Sequence, residues 1–457
     1  MRLYNTLSRE IEKIIPQKAG EVSLYTCGLT VYSHPHIGNW VAYIYWDVLQ
    51  RTLEAEGYTV TRVQNITDVG HLTDDEDAGE DKMLKGALRE GKTAWEIAEK
   101  YIKIAQKEAN LLGLTIPTHS PRATDYISQP ISFVHALNEK GYAYVIDDGV
   151  YFETSKLKDY GKLARLDLDG LQFGARVADT GKKNPTDFAL WKFSPKDQQR
   201  DMEWDSPWGK GFPGWHLECS TIIKELLGET IDIHTGGIDH IPVHHTNEIA
   251  QSETVTGKPL ANYWLHANHI KVDGQKMSKS LGNIYTLHDI TDRGFSLDAF
   301  KIMVLSKHYR TEGNFTWEIL EAAQNRLNHW REMAALIWQK ERDDTTSESD
   351  NTLLKELINN DLGTPQVISS IETLLDGITS GTYGLATLQS IIDFLTQYFN
   401  IDISCQDISD SQKQLIKTRQ EARIKKDWIT SDQLRDKLKE QGIGLNDTPQ
   451  GTTWYRV

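Results

Sequence analysis

The chain has 457 residues, a quarter of them charged, and a formal net charge of −15. That length allows roughly two to four domains, the acidic balance does not by itself announce a nucleic-acid partner, and no apolar run is long enough to span a bilayer. Three cysteines, Cys27, Cys219 and Cys405, are too few and too odd in number for a disulfide framework. The start, MRLYNTLSRE, has no apolar signal region, so a cytoplasmic protein with no membrane partner is expected.

Residues 22–29, VSLYTCGL, are apolar with β-branched and aromatic members and predict a buried strand. His36-Ile37-Gly38-Asn39 then opens a predicted helix that Gly57 ends, and TVTRVQNITD predicts a second strand. Strand, turn, helix and strand are the start of a doubly wound, Rossmann-like parallel sheet, so the fold class is α/β. Its first half is assigned to residues 1–116, including an acidic excursion, TDDEDAGEDK, that begins at Thr73.

Residues 117–208 are irregular and rich in Gly and Pro, which predicts a connective insertion too short for a separate editing domain. The second half, 209–315, resumes with the predicted helix GWHLECSTIIKELLG, the strand and glycine turn IDIHTGGIDH, and the helix HHTNEIAQSETVTG. Residues 316–400 predict a helical bundle, interrupted by a polar linker at 341–351. Residues 411–457 form a small terminal unit. Within it, residues 417–439 hold eight basic residues against four acids, a balance of +4, opposite in sign to the whole chain. A solvated amphipathic helix explains that stretch as well as a nucleic-acid contact does.

Two motifs about 240 residues apart carry the chemistry. In His36-Ile37-Gly38-Asn39, backbone N–H groups and the positive helix end favour an anion, and Gly38 permits close approach. In Lys276-Met277-Ser278-Lys279-Ser280, two lysines among small hydroxyl residues suit a loop that grips a polyphosphate. Either motif alone is also what an ordinary turn or basic surface loop contains. His244 and Glu248 share one face of a predicted helix, and Cys27 and Cys219 lie at a strand end and a helix start. These four could meet at a tetrahedral metal site in the crevice of a doubly wound sheet. His216, His240 and His245 are rival ligands, and buried cysteines are usually small hydrophobes.

The motif pair resembles the two signatures of class I aminoacyl-tRNA synthetases, and CGLTVYSHPHIG, PGWHLECS, HHTNEIAQS and the KDWITSDQLRDKL…GTTW tail are similar to cysteinyl-tRNA synthetases. The resemblance runs from about Tyr25 to the C-terminus. It implies activation of L-cysteine by ATP and transfer to tRNA(Cys). It places one zinc ion per chain on Cys27, Cys219, His244 and Glu248, with an open position for the substrate sulfur. It also implies that His36, Asn39, Lys276 and Lys279 stabilise the phosphoryl charge together with Mg²⁺. Gly38, Gly236, Gly237 and Asp239 would then contact ATP, and Gly28, Thr30 and Trp215 would line the cysteine pocket beside Cys27. Under the same resemblance the helical bundle and basic tail dock tRNA, with Trp428 and Trp454 as stacking candidates, and a monomer is expected.

The chain departs from the family pattern at Asn39, where His is usual, at Thr246, where an acid is usual, and at Phe212, where a polar residue is common. Two rivals share the motifs: a cysteine ligase acting on an amino-sugar, as in mycothiol synthesis, and a non-catalytic paralogue. The basic tail speaks against the first, because a small acceptor needs no anticodon unit. The two lysines of Lys276-Met277-Ser278-Lys279-Ser280 speak against the second.

Overall fold

The computed structural model describes residues 1–70, 81–166, 181–195, 200–339, 351–448 and 451–457. The acidic excursion at 73–80 and the linker at 341–350 lie outside the described residues. The chain divides into two compact units, Met1–Leu287 with Tyr309–Gly313, and His288–His308 with Asn314–Val457.

At the centre of the first unit is a parallel sheet in the order Ala261–Ala267, Ile231–Gly237, Glu21–Thr26, Thr59–Gln64. Each half of the predicted domain supplies two adjacent strands. The halves meet where Leu24, Tyr25 and Thr26 pair with Ile233, His234 and Thr235. Val22, Leu24, Ile231, Ile233 and Leu265 are buried, as expected of parallel strands covered on both faces. Buried Asp232 fastens this junction by accepting from Ser23 N and Oγ, both at 2.8 Å, and from Gln17 N at 2.7 Å. Both central strands end side by side, which creates the crevice where ligands of such sheets bind.

The first predicted strand stops at Thr26, short of Gly28. The reason is local: Cys27 N still donates to Thr235 O, but Gly28 N turns to the Asn65 side chain at 2.7 Å. A Cβ on residue 28 would stand 1.5 Å from Asn65 O, so only glycine fits this approach.

The insertion is more ordered than its composition suggests. It holds the helix Ser128–Glu139 and an antiparallel sheet of Ala143–Ile146, Gly149–Phe152, Phe188–Phe193 and Gly211–Pro213. Its strands are short, and that masked their period. The fourth strand lies just past residue 208 and leads directly into the helix Trp215–Leu226.

In the second unit, Leu297–Leu305, Trp317–Ala334, Thr352–Asn359, Thr364–Ser380 and Leu385–Phe394 are α-helices. Buried Lys301 donates to Asn400 O at 2.6 Å, pinning the end of the π-helical turn Leu395–Phe399 that follows the last of these helices. The basic stretch is not one helix. Lys426 adopts φ +60°, which breaks it into Asp410–Ile424 and Trp428–Glu440, the second capped by Asp427. The hairpin Ile443–Thr448 with Gly451–Arg456 completes the terminal unit. No helix among the described residues is long and apolar enough to cross a membrane.

Candidate active site and metal centre

A cleft of about 770 Å³ opens where the sheet halves meet. Cys27, Gly28, Thr30, His36, Gly38 and Asn39 line it from the first half, and Trp215, Cys219, Gly236, Gly237, Asp239 and His244 from the second. Lys276 is exposed and does not line it, whereas Met277 does. The Lys279 side chain lies outside what the structure describes; its backbone begins the short turn Lys279–Leu281.

His36 is the N-cap of the helix Ile37–Ala55. Its backbone N–H donates to Asn39 Oδ1 at 2.9 Å, and Asn39 N returns a bond to His36 O at 2.9 Å. Asn39 therefore braces the turn through its oxygen, which leaves its amide nitrogen as a donor. Burial lowers the pKa of His36, whose ring is thus neutral near pH 7. The two distant motifs touch: a Cβ on Gly38 would lie 2.2 Å from Met277 Cε, and Ile37 N donates to Tyr285 O at 2.8 Å. Asn283 shapes the lysine loop, accepting from Ser278 N and donating to Lys276 O.

Below the cleft, one potential ligand atom from each of Cys27, Cys219, His244 and Glu248 lies within 4.8 Å of the others. All four residues are buried. The helix His244–Thr256 places His244 and Glu248 one turn apart, and Trp215–Leu226 brings up Cys219. Two further sets satisfy the same distance, Cys27 with His240, His244 and His245, and Cys27 with His234, His245 and Glu248. The residues fit a metal ion on an independent observation. Glu248 Oε1 is buried and has no hydrogen bond of good geometry; its one close neighbour is His244 Nε2 at 2.6 Å, and a metal ion could take both atoms as ligands.

The electrostatics agree with ligand chemistry. Burial pushes the Cys27 thiol up, but the hydrogen bond from Cys219 and the charge of His245 outweigh it and hold Cys27 well below the usual range. The bond to Cys27, with burial, pushes Cys219 up. Burial disfavours the His244 cation, yet the Glu248 carboxylate raises its pKa to about 10. Burial would also raise Glu248, but His234 and His244 hold it below the usual carboxylate range. Cys27 and Glu248 thus carry negative charge, whereas a divalent cation bound here would displace the protons held by His244 and Cys219.

The structure adds two residues that sequence reasoning missed, His234 and His266, and joins them to His245, one of the rival ligands. His234 Nε2 contacts Glu248 Oε2 at 2.6 Å and stacks on Trp264. His245 approaches Cys27 Sγ at 3.3 Å and continues through His266, at 2.8 Å, to Thr6 Oγ1, also at 2.8 Å. An imidazole next to Ile233 inside the strand Ile231–Gly237 was the available signal for His234. His266 had none, because its strand neighbour Gly236 is visible only in the register of the sheet. Trp215 faces His244 with ring centroids 4.4 Å apart. Asp239 is exposed at the rim of the cleft.

The profile of the family described as tRNA synthetases class I (C) catalytic domain matches residues 13–325, and that of the Cysteinyl-tRNA ligase anticodon binding domain matches 406–454. The chain is 44% identical to "Cysteine--tRNA ligase 1" of Burkholderia lata, over 99% of this chain and 96% of that protein. It is 40% identical to "Cysteine--tRNA ligase" of Treponema denticola over the full length of both. Among solved structures, Mycobacterium tuberculosis methionyl-tRNA synthetase with methionyl-adenylate superimposes with a TM-score of 0.58 at 14% identity, covering 79% of this chain and 83% of that one. The Agrobacterium radiobacter K84 LeuRS in a ternary complex superimposes at 0.59 and 11%, covering 85% of each. At such identities these two show a shared α/β fold and nothing finer. The fold, the paired motifs and the full-length likeness together establish that the chain belongs to the cysteinyl-tRNA synthetase family of class I aminoacyl-tRNA synthetases.

Proposed function

We propose that the chain activates L-cysteine with ATP and passes it to the terminal ribose of tRNA(Cys), using one zinc ion per chain to select the amino acid. The observation that carries this reading is the convergence of Cys27, Cys219, His244 and Glu248 beneath the cleft that also holds the His36–Asn39 turn. Two sulfurs, an imidazole and a carboxylate are a donor set suited to zinc. When bound, zinc supplies a centre that prefers a thiolate to an alcohol, a discrimination that an apolar pocket gives only about 10–200-fold.

The remaining work belongs to the chain's own groups. Trp215, packed on His244, covers the small substrate side chain, and Gly28 and Thr30 flank it. The substrate carboxylate attacks the α-phosphorus of ATP and pyrophosphate leaves. His36, as a neutral donor, and the Asn39 amide meet the developing charge, joined by Lys276, Lys279 and the Mg²⁺ of ATP; positioning and charge stabilisation carry the step. Gly236 and Gly237 let adenosine lie against backbone, and Asp239 accepts from the ribose or the substrate ammonium. Residues 316–400 and 411–457 dock the tRNA. Trp428, 57% exposed, is free to stack on an anticodon base, whereas Trp454 is a core residue.

Amino-acid-dependent exchange of pyrophosphate into ATP, run beside tRNA(Cys) charging, tests the reading. Cysteine should support exchange and serine should not. Cys219→Ser should raise the KM for cysteine by about 100-fold or more and narrow the discrimination, while the variant still folds. No exchange at saturating cysteine would overturn the catalytic assignment. Exchange without charging of tRNA would move the acceptor elsewhere. Discrimination unchanged in Cys219→Ser would make the metal purely structural.

A further inference from the structure

The first unit holds a second cavity of about 340 Å³ that shares Leu29, Val31, Tyr43 and Asn65 with the catalytic cleft as a common wall. Its apolar lining includes Trp40, Ile102, Leu114 and Ile116, and Arg62 is the one charged residue that lines it. Arg62 is only 3% exposed. Its Nη2 donates to Thr115 O at 2.6 Å, but its buried Nε has no partner, and it joins no ion pair among the described residues. Asp47 and Glu54 act on it through charge. Both are already engaged, Asp47 by Arg51 Nε and Thr115 N, each at 2.7 Å, and Glu54 by Gln50 Nε2 at 2.8 Å. Pinning the Thr115 turn needs one N–H. A guanidinium desolvated beyond that need is costly unless an anion completes it.

We propose that this cavity binds a small monocarboxylate with an apolar body, its carboxylate seated on Arg62. The volume lies at the low end of the roughly 300–1,000 Å³ usual for ligand sites. The planar guanidinium suits a carboxylate, and with no acid in the lining, amines and cations find no counter-charge. The common wall gives the occupant a route to the active site. Tyr43 OH donates to Cys27 O at 3.1 Å and Asn65 Oδ1 accepts from Gly28 N at 2.7 Å, so the two residues hold opposite ends of the peptide that follows Cys27.

Calorimetric titration of the full chain with phenylacetate, phenylacetamide and phenethylammonium tests the charge requirement on one ring body. Phenylacetate should bind with a Kd near about 1 mM or tighter, and the other two about tenfold more weakly or not at all. Arg62→Met should abolish phenylacetate binding. So should Ala109→Phe, which fills the cavity from the helix Ala94–Leu111 and leaves Arg62 in place; it decides the matter if Arg62→Met does not fold. Equal binding of the three probes, binding that survives Ala109→Phe, or no heat with phenylacetate up to about 10 mM would overturn the proposal. The measurement needs neither ATP nor tRNA, so its failure leaves the aminoacylation reading untouched.

Discussion

His234 stands one layer behind Glu248, one of the four proposed metal ligands. Its ring holds Glu248 Oε2 at 2.6 Å and is itself fixed by stacking on Trp264, with centroids 4.6 Å apart. Groups that orient a ligand carboxylate typically contribute 10–100-fold to metal affinity. His234→Leu should therefore weaken zinc by about that factor in competition with a chelator, while near-ultraviolet circular dichroism stays native. Unchanged affinity would mean that Glu248 does not bind the metal. Asn39 shows the opposite economy. Its oxygen is committed to the His36 turn, which leaves its nitrogen as a donor on a residue that lines the cleft.

In the terminal unit, one carboxylate joins three elements. Asp447 on the hairpin receives both Nη atoms of buried Arg419 at 2.9 Å, is contacted by Arg423, and accepts from Thr452 Oγ1 at 2.7 Å. Arg419 is 1% exposed on the side chain, so removing its partner strands a buried charge. Asp447→Asn should cost this unit about 2 kcal/mol in urea unfolding followed by the Trp454 signal. The Arg419 hydrogen bonds outweigh the effect of burial and hold the Asp447 pKa below its ordinary 3.8. The sign follows: this stability is full above pH 3.8 and is lost as pH falls through the lower folded value. Asp447→Asn should flatten that acid limb, and an unaltered limb would assign the loss to other carboxylates.

Over the whole chain, the candidate metal ligands come from a strand end, the helix Trp215–Leu226 and the helix His244–Thr256, all within the first unit. Such a site does not exist in the unfolded chain, so metal binding is linked to folding of that unit. Free zinc at about 1,000 times its Kd should add about 4 kcal/mol to the first unit and leave the second, which supplies no ligand, unmoved. Differential scanning calorimetry of wild type and Cys219→Ala checks this. The expected outcome is an upward shift of one transition in wild type alone. A shift that persists in Cys219→Ala would place the ion elsewhere.

Much of the protein was legible in one dimension. Local period and turn chemistry determined the alternation of strands and helices, and the spacing of His244 and Glu248 placed both on one helix face before any packing was known. The motif pair determined the family, because few chemistries need a phosphate-binding turn and a lysine loop together. The tertiary structure decided what depends on register and close approach. It set Met277 against Gly38, split the basic stretch at Lys426 and buried Trp454 while exposing Trp428. It also threaded His234, His245 and His266 behind the ligands. These features arise where segments remote in sequence approach one another or where one residue takes a left-handed conformation, and neither leaves a period in the local sequence.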